Sequence, residues 1–210
     1  MDPMSRLPAQ AFSKADTSSD ALFYASPRLV MHIDDGAVAA VTSVYRRWLP
    51  AGGIVLDLMS SWVSHLPPER DFRAVIGHGM NADELAANPR LTQRFVQDLN
   101  AETSLPLDDA SVDAACLCVG VQYLQRPVSV FAELRRVLRP DAPVIVTFSN
   151  RCFPTKAVAL WQALDERGHR ALVSAYFEAA GLTVTEADGL TPAVGDPLSW
   201  VVGRTPPNRG

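Results

Sequence analysis

Two adjacent glycines, Gly52-Gly53, lead into Ile54-Val55-Leu56-Asp57-Leu58, and the polar corner Met59-Ser60-Ser61-Trp62 follows at once. No other stretch limits the possible folds as strongly. An apolar run without alternation reads as a strand buried on both faces, the pattern of a parallel sheet. An aspartate inside the run and hydroxyls just beyond it put polar groups at the strand's carboxyl end. Ligands of open α/β sheets bind at that edge.

The rest of the chain repeats the alternation. Val38, Val41, Val44, Tyr45 and Trp48 recur at helical spacing before the strand, with Asp34 or Asp35 placed to cap the helix and Pro50 to end it. Further buried strands are expected at 74–77, 94–97, 112–119 and 144–148, and short helices near 63–65 and 83–88. Pro127 suits the first turn of a helix that buries Val130, Phe131, Leu134, Val137 and Leu138. Two helical stretches, 155–167 and 168–180, precede Gly181, and strands near 182–186 and 198–203 close the chain as an antiparallel hairpin. This order predicts an α/β, Rossmann-like doubly wound sheet of about seven strands, mostly parallel, with helices on both faces. Residues 1–20 are small and polar and are expected to be disordered, 21–205 to form one domain with 21–50 as N-terminal lid and helix, and 206–210 a tail.

Composition narrows the function. A net charge of -4 argues against a nucleic-acid-binding surface, and no apolar run reaches the roughly 20 residues of a membrane span. Three cysteines without a Cys-x-x-Cys pair fit a reducing cytoplasm, and no His/Cys/carboxylate spacing suggests a metal. Cys116 and Cys118 fall on one face of their strand, as small buried residues would. Nothing in the sequence fixes an oligomeric state.

Leu105-Pro106-Leu107-Asp108-Asp109-Ala110-Ser111-Val112-Asp113, followed by Val121-Gln122-Tyr123-Leu124, Pro127 and Glu133-Leu134-Arg135-Arg136-Val137-Leu138-Arg139-Pro140, resembles the class I S-adenosylmethionine-dependent methyltransferases. The similarity covers roughly residues 36–203 and is closest to the branch acting on small molecules that includes the ubiquinone/menaquinone methyltransferases. It implies S-adenosylmethionine as cofactor, S-adenosylhomocysteine as product and a small-molecule nucleophile as acceptor. Carried over by position, it implies that Asp57, Met59, Ser60 and Ser61 serve the methionine half of the cofactor. His78, Gly79 and Asn81 then fall near the ribose, Asp98 and Leu99 near the adenine, and Cys118 and Val119 beside the cofactor and the substrate entry.

The chain departs from that family at two places. The glycines of its D-x-G-x-G-x-G pattern are replaced by Met59, Ser61 and Val63, and the ribose carboxylate by Gly79, with Asn81 two residues on as a substitute amide. These departures motivate a second reading, an inactive methyltransferase-like binding or scaffold protein. Tyr24, Arg28 and His32 recur every four residues in the expected lid, with His32 or Tyr24 as candidate base and Arg28, Tyr123 and Arg151 as candidate substrate contacts. A second wall is expected from Asn150, Arg151, Cys152, Phe153, Lys156 and Trp161, with Trp62 packing beside the loop.

Overall fold

The computed structural model describes residues 7, 8 and 10–208. Seven strands form one sheet in the order β3-β2-β1-β4-β5-β7-β6. They are β1 (Ile54–Leu58), β2 (Ala74–Gly79), β3 (Gln93–Val96), β4 (Ala114–Cys118), β5 (Pro143–Phe148), β6 (Thr183–Leu190) and β7 (Leu198–Arg204). The first five run parallel, and β7 inserts antiparallel between β5 and β6. Strand order reverses between β1 and β4, so their carboxyl ends diverge and leave a crevice at that rim.

Helices cover both faces. On one side α2 (Asp35–Trp48) lays Ala37, Val41, Val44 and Tyr45 against Val55, Val75, Ala114, Cys116 and Ile145. Its Asp34 side chain accepts from the Ala37 N–H at 2.8 Å, and Arg46 and Arg47 occupy its last turn, where cations are favoured. On the other side α4 (Pro127–Val137) and α6 (Glu166–Ala179) bury Phe131, Leu134, Tyr176 and Phe177 over Leu56, Leu117, Val144 and Val146. Asp165 caps α6, and Gly181 follows it at φ 78, a left-handed turn that glycine enters without strain. Short helices α1 (Asp20–Phe23), α3 (Ala82–Ala87) and α5 (Ala159–Gln162) complete the chain.

Three expectations change. Of the helix expected at 155–167 only Ala159–Gln162 forms before α6 begins at Glu166. No helix forms near 63–65, where the segment joining β1 to β2 is irregular. Its polar groups are committed elsewhere: Ser64 donates to Asp57, the His65 carbonyl accepts from Thr42, and Pro67-Pro68 lack backbone donors. At the N-terminus, residues 10–20 are packed rather than disordered, while 1–6 and 9 lie outside the described residues. Lys14 bridges Val158 antiparallel, and the Ala159 and Leu160 N–H groups donate to the carbonyls of Ser13 and Ala11, each at 2.8 Å. Lys156, fully buried, meets Asp16 and Asp20 at 3.2 Å each and donates to the Ser18 carbonyl at 2.6 Å. Composition suggested disorder because the charges that hold this segment are paired with a residue far along the chain.

Candidate functional site

A cavity of about 340 Å³ opens over the carboxyl ends of β1, β2 and β4. Residues 19–34 form a strap along it, with Tyr24, Arg28, His32 and Ile33 among its lining residues. Hydrogen bonds fix that strap at several points. Asn100 donates to Asp20 at 3.0 Å, Asn81 to the Tyr24 and Ala25 carbonyls at 2.9 and 3.1 Å, and Trp62 Nε1 to the Val30 carbonyl at 3.0 Å. The Arg28 N–H donates to Glu84 at 2.7 Å, and Asp34 and Asp196 exchange backbone-to-carboxylate bonds at 3.0 and 2.7 Å.

The corner after β1 is held just as firmly. Met59 takes φ 56, a conformation unusual for a residue with a side chain. Its N–H donates to His78 Nδ1 at 3.1 Å, and the Ser60 N–H donates to the His78 carbonyl at 2.6 Å. His78 Nε2 lies 2.9 Å from the Gln97 carbonyl, which assigns the proton to Nε2 and leaves Nδ1 as acceptor. The ring is 1% exposed, and burial holds its pKa down at about 4. His78, expected near the ribose, lines the cavity and also acts as a neutral strut between β2, β3 and the corner.

Asp57 accepts from Ser60 Oγ at 2.7 Å, from Ser64 Oγ, and from the Cys116 thiol at 3.6 Å. Burial pushes its carboxyl up, partly offset by Ser64, Ser60 and Cys116. It therefore shapes the corner with side-chain partners of its own. Ser61 donates to Glu84 at 2.6 Å, and Asn88 donates to the Ser61 carbonyl and to Ser64 Oγ, both at 2.9 Å. Gly79 sits directly beneath: a Cβ there would meet the Ser60 carbonyl oxygen at 2.5 Å. Asn81 is spent on capping α3 and on the strap, so the substitute ribose contact expected of it has no free donor.

Across the crevice, Asp98 keeps one oxygen on the Asn100 N–H at 2.9 Å while facing the cavity, and Leu99 is buried beside it. Val119 ends β4 at φ 49, a rarer conformation still because its side chain is branched at Cβ. Burial pushes the Cys118 thiol up to about 12 and raises Cys116 well above its ordinary value, which disfavours the thiolate of both. Among the described residues no group of three or more His, Cys, Asp or Glu side chains is placed to hold a metal ion.

The strap brings an aromatic cluster to the mouth. Phe153 lies 5.3 Å from Phe23, 5.7 Å from His32 and 6.0 Å from Tyr123, ring centre to ring centre. Burial raises Tyr24 far above its ordinary range, which keeps its phenol protonated and argues against the base role expected of it. Partial burial lowers His32, as it does His65, which also lines the cavity. Tyr123 Oη accepts from the Phe153 N–H at 2.9 Å. Arg151 pairs with Asp196 at 2.7 Å. Asn150, Lys156 and Trp161 are absent from the cavity wall; Trp161 belongs to the core and stacks on His169 at 3.9 Å.

Sequence reasoning missed Glu84, His65 and Asn100. Asn81-x-x-Glu84 has the spacing of a capping box, in which the glutamate would turn back to the cap. Here it turns outward to Arg28 and Ser61, an outcome that no local pattern signals.

Strand order, the antiparallel β7 and the rim crevice define the class I methyltransferase fold, a Rossmann-like sheet. Residues 64–146 match the sequence model of the methyltransferase domain. No curated protein matches the chain in sequence. Among solved structures, a chain from the complex between the Haloferax volcanii Trm112 methyltransferase activator and a methyltransferase is similar, with TM-score 0.62 and 20% identity over 82% of this chain and 91% of that one. The [4+2]-cyclase SpnF gives TM-score 0.64 and 15% identity over 88% and 90%. An S-adenosylmethionine-dependent methyltransferase from Mesorhizobium loti gives TM-score 0.58 and 15% identity over 81% and 99%. Among the described residues no helix is long and apolar enough to cross a membrane.

Proposed function

We propose that the chain transfers a methyl group from S-adenosylmethionine to a small-molecule acceptor. The observation that carries this reading is the cavity at the β1/β4 switch point, bordered by Met59 and Val119, two non-glycine residues in left-handed backbone. Strain of that kind collects at binding sites, where the surrounding structure over-determines it. The residues present suit the donor at its adenine end, where Asp98 and Leu99 meet the cavity. Glu84 supplies a carboxylate at the rim beyond β2, where Gly79 offers no side chain. When bound, the donor supplies a methyl group on a positively charged sulfur.

The protein's share is alignment and exclusion of water. The corner at 59–61 and the turn at 118–119 set the floor, and the strap closes the top. His32, neutral because partial burial lowers its pKa, stands ready to take a proton from an acceptor that must lose one. Tyr24 donates to the acceptor instead. A second reading, a binding module without transferase activity, draws on the corner itself: the Met59 and Ser60 N–H groups both face His78 rather than the cavity. SpnF, named as a cyclase, also shows that this fold does not fix one reaction. Calorimetry with S-adenosylmethionine and S-adenosylhomocysteine separates the readings. Saturable binding to both is expected; silence at millimolar ligand removes the transferase.

A further inference from the structure

Arg28 is a cation without a counter-charge. Its Nη2 donates to the Phe23 carbonyl at 2.8 Å, while its Nη1 is buried with no acceptor. The guanidinium lies over Phe23 at 4.6 Å, Phe153 at 5.4 Å and Tyr24 at 5.6 Å. Ring faces attract the flat side of the cation, but its N–H edges still need oxygen acceptors. Glu84 serves the Arg28 backbone N–H, and none of the ion pairs among the described residues includes its guanidinium. A buried donor with nothing to donate to is costly, and at a cavity wall it marks the place of a ligand atom.

We infer that Arg28 receives the carboxylate of the methyl acceptor, so that the substrate is a small monocarboxylate; this rests on the transferase reading above. One charge is the capacity of the wall. Arg28 and Arg151 are the arginines or lysines among the described residues that line the cavity, and Arg151 already holds Asp196. A phosphate dianion would find one donor where it needs several. The wall around the guanidinium is aromatic, with Phe23, Phe153 and Tyr24 within 5.6 Å of it, so aryl carboxylates are suitable probes.

The test is calorimetry of benzoate, benzamide and phenyl phosphate, with and without saturating S-adenosylhomocysteine, on the full chain and on Arg28→Met and Arg28→Lys. The backbone bond to Glu84 survives either substitution, and thermal melting checks that the fold does. Wild type should prefer benzoate to benzamide by about tenfold or more, the range of a charge-assisted hydrogen bond. Arg28→Met should abolish that preference, Arg28→Lys should keep part of it, and S-adenosylhomocysteine affinity should be unchanged in both. Equal affinity of wild type for benzoate and benzamide overturns the inference, as does tighter binding of phenyl phosphate. Loss of S-adenosylhomocysteine affinity in Arg28→Met also overturns it, by assigning the guanidinium to the donor's own carboxylate. Benzoate selectivity without S-adenosylhomocysteine binding leaves the anion site standing and removes only the transferase.

Discussion

The His78 strut makes an acid-sensitive joint beneath the site. Above pH 6.5 the ring is neutral in folded and unfolded chains alike and contributes no pH dependence. Below it the unfolded chain takes up a proton that the buried ring, with a pKa of about 4, does not. Stability is therefore lost as pH falls from 6.5 to about 4, and levels off beneath that. The full span is worth about 3 kcal/mol, and about 2 kcal/mol of it falls between pH 7.5 and 5. His78→Gln removes the titration. At pH 7.5 it should cost about 1–3 kcal/mol, because the Met59 N–H and the Gln97 carbonyl keep poorer partners. By pH 5 its disadvantage should shrink by about 2 kcal/mol, since wild type alone is penalised there. Urea unfolding of both proteins at the two pH values gives the difference directly. His32, His65 and His169 are also lowered but are common to both proteins and cancel. A stability gap that stays constant with pH, or an NMR titration of His78 near 6.5, refutes the reasoning.

Three further expectations follow from the geometry. Met59→Gly should change stability by less than about 1 kcal/mol, because relief at φ 56 offsets lost packing, whereas Met59→Val should cost about 1–3 kcal/mol more; chemical denaturation compares them. Asp98→Ala should weaken S-adenosylhomocysteine binding by about 1–3 kcal/mol in calorimetry, and an unchanged affinity takes Asp98 out of the site. Lys156→Met removes the buried donor to the Ser18 carbonyl and one of the two cations on Asp20, which keeps Lys14, and should cost about 1–3 kcal/mol, with faster proteolysis inside residues 10–33 if the strap is released.

The sheet was legible because its strands are apolar runs that alternate with amphipathic helices. Even the antiparallel finish shows in Thr183–Leu190 and Leu198–Arg204. Helix ends were legible where one residue sets them, as Asp34 and Gly181 do. The site was legible only as a place. Asp98 and Cys118 do face the cavity, yet His78 and Asn81 are consumed by partners that only the folded chain brings near. Burial decides roles in the same way. Tyr24 reads as a base in sequence, yet desolvation keeps its phenol protonated, and Lys156, expected in the second wall, is buried beneath the strap.

The missing glycines of the first corner have reappeared under it. With Met59 in left-handed backbone, its Cβ and sulfur lie where a Cβ of residue 120 would be, at 3.0 and 3.1 Å, and position 120 is glycine. The Ser60 carbonyl presses on position 79 at 2.5 Å, and that position is glycine too. A corner built from side-chain-bearing residues thus excludes any side chain at the end of β2, including a carboxylate for ribose hydroxyls. The two departures from the family pattern are one structural choice, and it moves the polar work outward to Glu84, which fastens both Ser61 and the Arg28 backbone. The corner and the strap are then coupled through a single carboxylate. Substituting Glu84 alone should loosen both, whereas restoring an acid at position 79 in the present corner can only displace Ser60.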